Sequence, residues 1–359
     1  MIEKFLIQTP FAFALRSLLR ISFVLTLAAS LSVEASESLG TFQFQDFSLA
    51  PRLEVREPSE GGFDLKESWI SVQWLKDENI HGQFRMGTLD QMQPVIWMAP
   101  AKDGFGLLEA WVEFKSTSGT VRVGRLPIPD GFEGSLGDGF WLMPQSEVRK
   151  RSWLFTRDEG LTLEASTKPW LTSLTVHNGE SGPNADAKMW VTGRWQYLAN
   201  NTGNGILLTA TEGSTNPVST NTSTAQTSDG FRFDNGKPSK IRWGTFSLFH
   251  LWKRDYWNLE VGRGDILQDA DKFPMAWGRL DISWNMGSDL NLLARYEQTQ
   301  SDLKDSATIC KISALGFLLS SRDELSSLTL FLKHKEEQPS KNNDEALLLF
   351  RINSSSAGL

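Results

Sequence analysis

The feature that most constrains this chain is a period-2 alternation of apolar and polar residues that recurs from one end to the other. In Glu109-Ala-Trp-Val-Glu-Phe-Lys115, Ala110, Val112 and Phe114 fall on one side, with Glu109, Glu113 and Lys115 on the other. Lys188 to Tyr197, Gly278 to Trp284 and Leu290 to Glu297 repeat the pattern. Successive side chains of a strand point to opposite faces, so this spacing predicts strands with one apolar face. Sixteen such segments follow one another, from 50–57 to 345–353, broken by Gly, Pro, Asn, Asp and Ser.

The connections between them fall into two classes taken in turn. One class runs about 2–6 residues, as in Asp77-Glu-Asn79 and Lys253-Arg254, and the other about 5–29, as in Ile128 to Thr156. A soluble sandwich has no reason to alternate in this way. A barrel threaded through a membrane from one side does, because one rim keeps tight turns and the other long loops. In hydrocarbon every unpaired backbone group costs several kcal/mol, so strands cross only as a closed sheet. The predicted fold class is therefore all-β, a transmembrane antiparallel barrel of about 16 strands. At that strand number a barrel encloses an aqueous channel. The mean hydropathy of −0.28 fits, since only alternate residues need meet lipid.

The N-terminus predicts export. Lys4, Arg16 and Arg20 precede an apolar run of 13 residues, Ile21 to Val33, and a small-residue site ends at Ala35. That order is a secretory signal peptide, too short to span as a helix. The expectation is a cleaved segment 1–35 and a barrel over 36–359, in the outer membrane of a Gram-negative cell. Without residues 1–35 the chain carries 33 Lys+Arg against 41 Asp+Glu, a net of −8 that argues against nucleic acid as a partner. The single cysteine, Cys310, makes neither an internal disulfide nor a cysteine-based metal site, and no cofactor is expected. The 14 Trp and 22 Phe against 3 Tyr suit either membrane-interface girdles or a sugar-stacking surface.

The longest charged connection, Ile128 to Thr156, carries Gly131, Gly134, Gly137 and Gly139, which permit tight bends. It also carries Arg149-Lys150-Arg151 and leads into Arg157, with Glu133 and Asp138 as counter-charges. Folded into the barrel, this third long loop puts Glu133, Asp138, Arg149, Lys150, Arg151 and Arg157 at a constriction, where fixed charge selects ions. Lys115, Arg122, Arg194, Arg279 and Arg295 are the candidate basic groups of the inner wall, interspersed with Glu109, Glu113, Glu260, Asp281 and Glu297.

Three short stretches carry a resemblance: Val123-Gly-Arg-Leu-Pro-Ile-Pro-Asp-Gly131, Arg157-Asp-Glu-Gly160 and Val176-His-Asn-Gly179. Together with Trp190 to Tyr197 and the run from Glu260 to Arg295, they make the chain resemble the phosphate-selective porin O/P family. The resemblance implies a sixteen-stranded, trimeric channel for small solutes or ions, lined in some members by anion-binding arginines. The interspersed acids and the ending beyond Phe350 (Arg351 to Leu359) depart from that pattern, so phosphate selectivity is not carried over.

The alternative from another class is an exported carbohydrate-binding or glycoside-active β-protein using tryptophan platforms. A third is a barrel that is itself an enzyme. His81, His177, His250 and His334 are scattered without zinc spacing. The acidic pairs Asp158/Glu159 and Glu336/Glu337 are adjacent residues and so point to opposite faces of a strand, and Arg263-Gly-Asp265 reads as a turn. No enzymatic fingerprint is present, and the expectation is a non-enzymatic channel.

Overall fold

The protein is described by a computed structural model covering residues 41–49, 51–56, 60–65, 68–88, 105–136, 143–150, 153–179, 188–199, 203–215, 238–252, 255–287, 289–321, 326–337 and 341–353. The expected signal peptide lies outside the described residues.

Alternation makes strands, and the described residues form eighteen in one antiparallel sheet. The chain opens with β1 (Thr41–Leu49), β2 (Pro51–Arg56), β3 (Glu60–Leu65), β4 (Trp69–Leu75), β5 (Ile80–Thr88), β6 (Phe105–Ser116) and β7 (Gly119–Pro127). Two short helices follow, α1 (Gly131–Leu136) and α2 (Glu147–Lys150), inside the long loop. Then come β8 (Arg157–Thr167), β9 (Trp170–His177), β10 (Trp190–Leu198), β11 (Asn204–Thr215) and β12 (Ser239–Trp252). The last are β13 (Asp255–Gln268), β14 (Asp271–Asn285), β15 (Leu290–Gln300), β16 (Ile309–Ser320), β17 (Ser326–Glu337) and β18 (Lys341–Asn353).

From β4 to β18 each strand bonds to the next. β1 then pairs with β4 through Thr41↔Leu75 and with β18 through Ser48↔Asn353, so the ladder returns to its starting point. The hairpin β2–β3 prolongs β1 and β4, with β2 lying on β18 at Glu54↔Leu347. Counted as staves, the ring has the sixteen expected from the sequence. No helix among the described residues is long and apolar enough to cross a membrane.

Two regions depart furthest from expectation. The first stave begins at Thr41 rather than residue 50, because Thr41-Phe-Gln-Phe-Gln also alternates. The connection expected over 264–273 is a tight turn at Asp269-Ala270, with Asp269 in the left-handed region at φ 51°. Arg263-Gly-Asp265 is therefore strand, not turn. Pro274 sits where β14 pairs only with β13, since the β15 ladder begins at Ala276. A proline needs no donor on an open side.

The alternate faces have separate fates. Outward residues such as Phe114, Leu163, Leu174, Leu259, Leu280 and Leu332 are exposed as a continuous apolar surface. Their inward neighbours Thr162, Thr175, Thr192, Glu260, Arg279 and Glu297 are buried. Among the described residues the hydrophobic interior is a layer lining the inner wall. Ile128, Val148, Trp153, Leu154 and Phe155 of the long loop pack on Trp190, Ile241, Trp243, Ile266, Met275 and Trp277 of the wall. Phe132 and Met143 do the same against Leu207, Phe249, Leu293, Leu318, Phe331 and Leu347. The third long loop is thus folded inward, onto the inner wall built by the second half of the chain.

Candidate functional site

The loop is held by polar groups as well as by packing. Gly131, at φ +66°, turns the chain into α1, and a Cβ there would lie 2.8 Å from Leu154 Cδ1. Glycine takes that conformation at no steric cost. The amide of Phe132 then donates to Glu260 Oε2 at 2.6 Å, and that of Gly131 to Thr209 Oγ1 at 3.1 Å. At α2 the amides of Glu147 and Val148 donate to the two carboxylate oxygens of Glu297 at 2.9 and 2.7 Å. Asp130 closes the base of the loop, accepting from Phe155 N at 3.0 Å, Thr211 Oγ1 at 3.1 Å and Trp243 Nε1 at 3.0 Å. Burial pushes its carboxyl up to about 7, against the pull of the Trp243, Phe155 and Thr211 hydrogen bonds.

Between loop and wall lies a buried ion network. Arg279 reaches Glu133 at 2.8 Å, Asp281 at 3.1 Å and Glu260 at 3.6 Å. Arg295 reaches Asp281 at 2.6 Å and Glu133 at 3.7 Å, and donates to the Pro144 carbonyl at 2.7 Å. Ser146 adds two donors to Glu133. Buried charge is tolerated only when paired and hydrogen-bonded, and breaking one partner of such a set costs about 3–5 kcal/mol. Here the paired charges fasten α1 and the segment before α2 to β13, β14 and β15.

The opposite arc of the inner face, on β5 to β7, meets the loop's apolar cluster at Trp111 and is otherwise more open among the described residues. Its carboxylates lie low and its cations stand over them. Glu109 and Glu113 are 3 and 4 % exposed, whereas Arg85, Arg122 and Lys115 are 13, 23 and 51 % exposed. Arg85 pairs with Glu109 at 3.0 Å, and Arg122 Nε with Glu113 at 2.7 Å. Each guanidinium also covers an indole, Arg85 that of Trp69 at 4.4 Å and Arg122 that of Trp111 at 5.0 Å. Water on this side meets cations first.

The residues expected at the constriction scatter. Glu133 lies in the buried network rather than in an open passage. Arg149 is buried, its amide donating to Ser146 Oγ at 3.2 Å. Arg157 is buried, with Nε on Glu109 Oε1 at 3.0 Å. Asp138, Arg151 and the side chain of Lys150 lie outside the described residues. Of the expected wall cations, Lys115 and Arg122 come together on the more open arc. Arg194 lies on β10 and donates to Gln196. Arg279 and Arg295 are sealed beneath the loop. Sequence reasoning did not single out Asp130, Glu147 or Arg85. Asp130 sits within the quoted Ile-Pro-Asp-Gly run, and Arg85 alternates inward in Ile80 to Thr88.

One arrangement has the look of a catalytic triad. His177 Nδ1 contacts Asp158 at 2.8 Å and its Nε2 contacts Thr192 Oγ1 at 3.1 Å. All three residues are fully buried, Phe155 covers the imidazole at 4.5 Å, and the Thr192 hydroxyl is shared with Thr211 at 3.0 Å. A nucleophile needs a substrate path, and this one is closed. Among the described residues no cluster of His, Cys, Asp and Glu could hold a metal ion.

No protein-family model and no curated protein matches the chain by sequence. Solved structures do match. A loop-L8 deletion mutant of OmpT, an outer-membrane protein of Vibrio cholerae, superposes with a TM-score of 0.65 at 8 % identity, over 88 % of this chain and 99 % of that one. The anion-selective porin from Comamonas acidovorans gives 0.61 at 11 % identity, over 87 % and 99 %. The chain has the porin fold. Pseudomonas putida OprB gives 0.56 at 10 % identity, over 88 % and 94 %. At these identities the likeness is one of architecture, and the porin-fold barrel here carries its own pattern of inward charge.

Proposed function

We propose that the protein is an outer-membrane porin, a passive and non-enzymatic channel for small solutes that favours anions. In this reading residues 1–35 are removed on export, the apolar outer surface meets lipid, and the chain assembles as a homotrimer related to the phosphate-selective porin O/P family. One observation carries the reading most directly. A long loop is fixed against one side of the inner wall, while the other side presents Arg85, Lys115 and Arg122 above buried carboxylates. Exposed fixed cations in a narrow passage raise the local anion concentration even where the summed charge is near neutral.

The roles then divide. Glu133, Arg157, Arg279 and Arg295 hold the loop and its strand, whereas Asp138, Arg149, Lys150 and Arg151 belong to the stretch that narrows the passage, and Arg194 continues the basic wall. The trimeric form recorded for Vibrio cholerae OmpT supports the assembly. The carbohydrate-binding alternative is less well supported, because outward tryptophans such as Trp170, Trp257 and Trp284 lie on the apolar face.

Two measurements test the reading. Fractionation should place the protein in detergent-extracted outer membranes. Planar bilayers under a salt gradient should give a reversal potential on the anion side. A soluble periplasmic protein, or a membrane protein that passes no current, would sink it.

A further inference from the structure

The outer face of β10 to β13 changes character within three rungs. Nearest the loop-bearing rim, Glu212, Arg242 and Asp265 face outward in register. Their ions are paired, Lys240 with Glu212 at 2.6 Å, and both Arg242 and Lys272 with Asp265 at 3.4 and 3.1 Å. Two rungs inward stand Trp195, Leu208, Phe246 and Val261, an apolar row facing lipid. The rung between holds Gly193, Ala210, Gly244 and Arg263.

That middle rung is a trough with a cation at one end. Gly193 and Gly244 point into open space, where an added Cβ would meet only a carbonyl oxygen at 3.9 and 3.4 Å respectively. Together with the apolar row they line a groove of about 680 Å³. Arg263 lines the same groove, is exposed, and has no ion-pair partner among the described residues. A guanidinium on the lipid side of a barrel is destabilising unless it lies at the interface or finds an anion. Lys240, Arg242, Arg263 and Lys272 outnumber Glu212 and Asp265 on this patch, so the surplus is positive among the described residues.

We propose that this groove binds a phosphate-bearing lipid, its headgroup on Arg263 and an acyl chain over Gly193, Ala210 and Gly244. The chemistry fits at both ends. A guanidinium offers paired N–H donors to phosphate oxygens, and a bare-backbone floor walled by Trp195, Leu208 and Phe246 accepts a chain. The proposal rests on the reading that the outer face meets lipid, but it assigns a site which channel function does not require.

The test uses the purified oligomer in detergent, exposed to dioleoyl phosphatidic acid and to dioleoylglycerol, with retained lipid counted by native mass spectrometry. The wild type should retain the phosphatidic acid in preference to the diacylglycerol. Arg263→Gln should lower phosphatidic acid retention by about tenfold or more, while Arg263→Lys keeps most of it. Gly244→Leu, which fills the floor without touching charge, should lower it as well. All three variants should keep the heat-dependent gel shift of a folded barrel. Equal retention by the wild type and Arg263→Gln would overturn the proposal. So would displacement of the lipid by inorganic phosphate alone, which would mark a free-anion site. Dissociation of the oligomer by Gly244→Leu with lipid retention unchanged would also overturn it, by showing that a second copy covers the groove. A chain that stays soluble without detergent would instead end the barrel reading itself.

Discussion

The indole N–H of Trp243 donates to both carboxylate oxygens of Asp130, at 3.0 and 3.1 Å, across 113 residues of sequence. The same carboxyl receives the Phe155 amide, so one side chain joins both ends of the inward loop to the wall. Its proton affinity is raised to about 7, largely by burial, from roughly 3.9 in an unfolded chain. A carboxyl raised on folding stabilises fully below its unfolded value and loses that contribution as pH rises through its folded one. Thermal stability in detergent should therefore fall between about pH 4 and 7, with a slope of up to roughly 1.4 kcal/mol for each tenfold drop in proton concentration. Asp130→Asn should flatten that slope. An unchanged slope in the variant would show that another group sets it.

The Glu133–Arg279 pair at 2.8 Å is the shortest described tie between α1 and the arginines of the wall. Glu133→Ala leaves Arg279 and Arg295 short of a carboxylate and should cost about 3–5 kcal/mol. Single-channel recordings should show higher conductance and more noise as α1 loosens. Glu133→Gln, which keeps one acceptor oxygen for Ser146, should lie between the wild type and the alanine variant.

Selectivity should follow exposure rather than the count of basic residues. Arg122→Glu places an acid on the more open arc and should move the reversal potential toward cations. Arg149→Glu, at a buried position, should move it less and destabilise more. The reverse ranking in planar bilayers would place the passage on the other side of the loop.

Leu259 stands outward on β13, while Asn258 and Glu260 beside it are buried inward. Leu259→Arg should cost about 2–4 kcal/mol if the rung lies near the membrane midplane, read as urea-induced unfolding in vesicles. Leu267→Arg, near the rim of the same strand, should cost about 0–1 kcal/mol.

Much of this architecture was legible because lipid and loop impose a strict period. Gly119 to Pro127 opens on alternation and is a strand over its whole length, and Ser326 and Ile80 open their strands where the alternation starts. The inner wall was less readable. Ala346-Leu-Leu-Leu-Phe350 is apolar on both faces, since Leu347 and Leu349 pack inward in the layer seated by the loop. No local pattern reports that a loop some 200 residues earlier covers a wall. The arginines at 279 and 295 show the same limit. Alternation directs them inward, and only the distant Glu133 decides that they are sealed off. Arg263-Gly-Asp265 misled for a simpler reason: a glycine between two charges has turn composition wherever it sits.

The seam where β1 meets β18 has a consequence for the order of assembly. It joins the first described strand to the last, through two paired positions on β1 and five on β2, against thirteen between β12 and β13. Until β18 is in place, the edges of β1 and β18 both stay unsatisfied, and neither can enter hydrocarbon alone at tolerable cost. Synthesis in the N-to-C direction therefore leaves an open, sticky sheet for its entire duration. Until its final residues arrive, those open edges are templates for pairing with another chain.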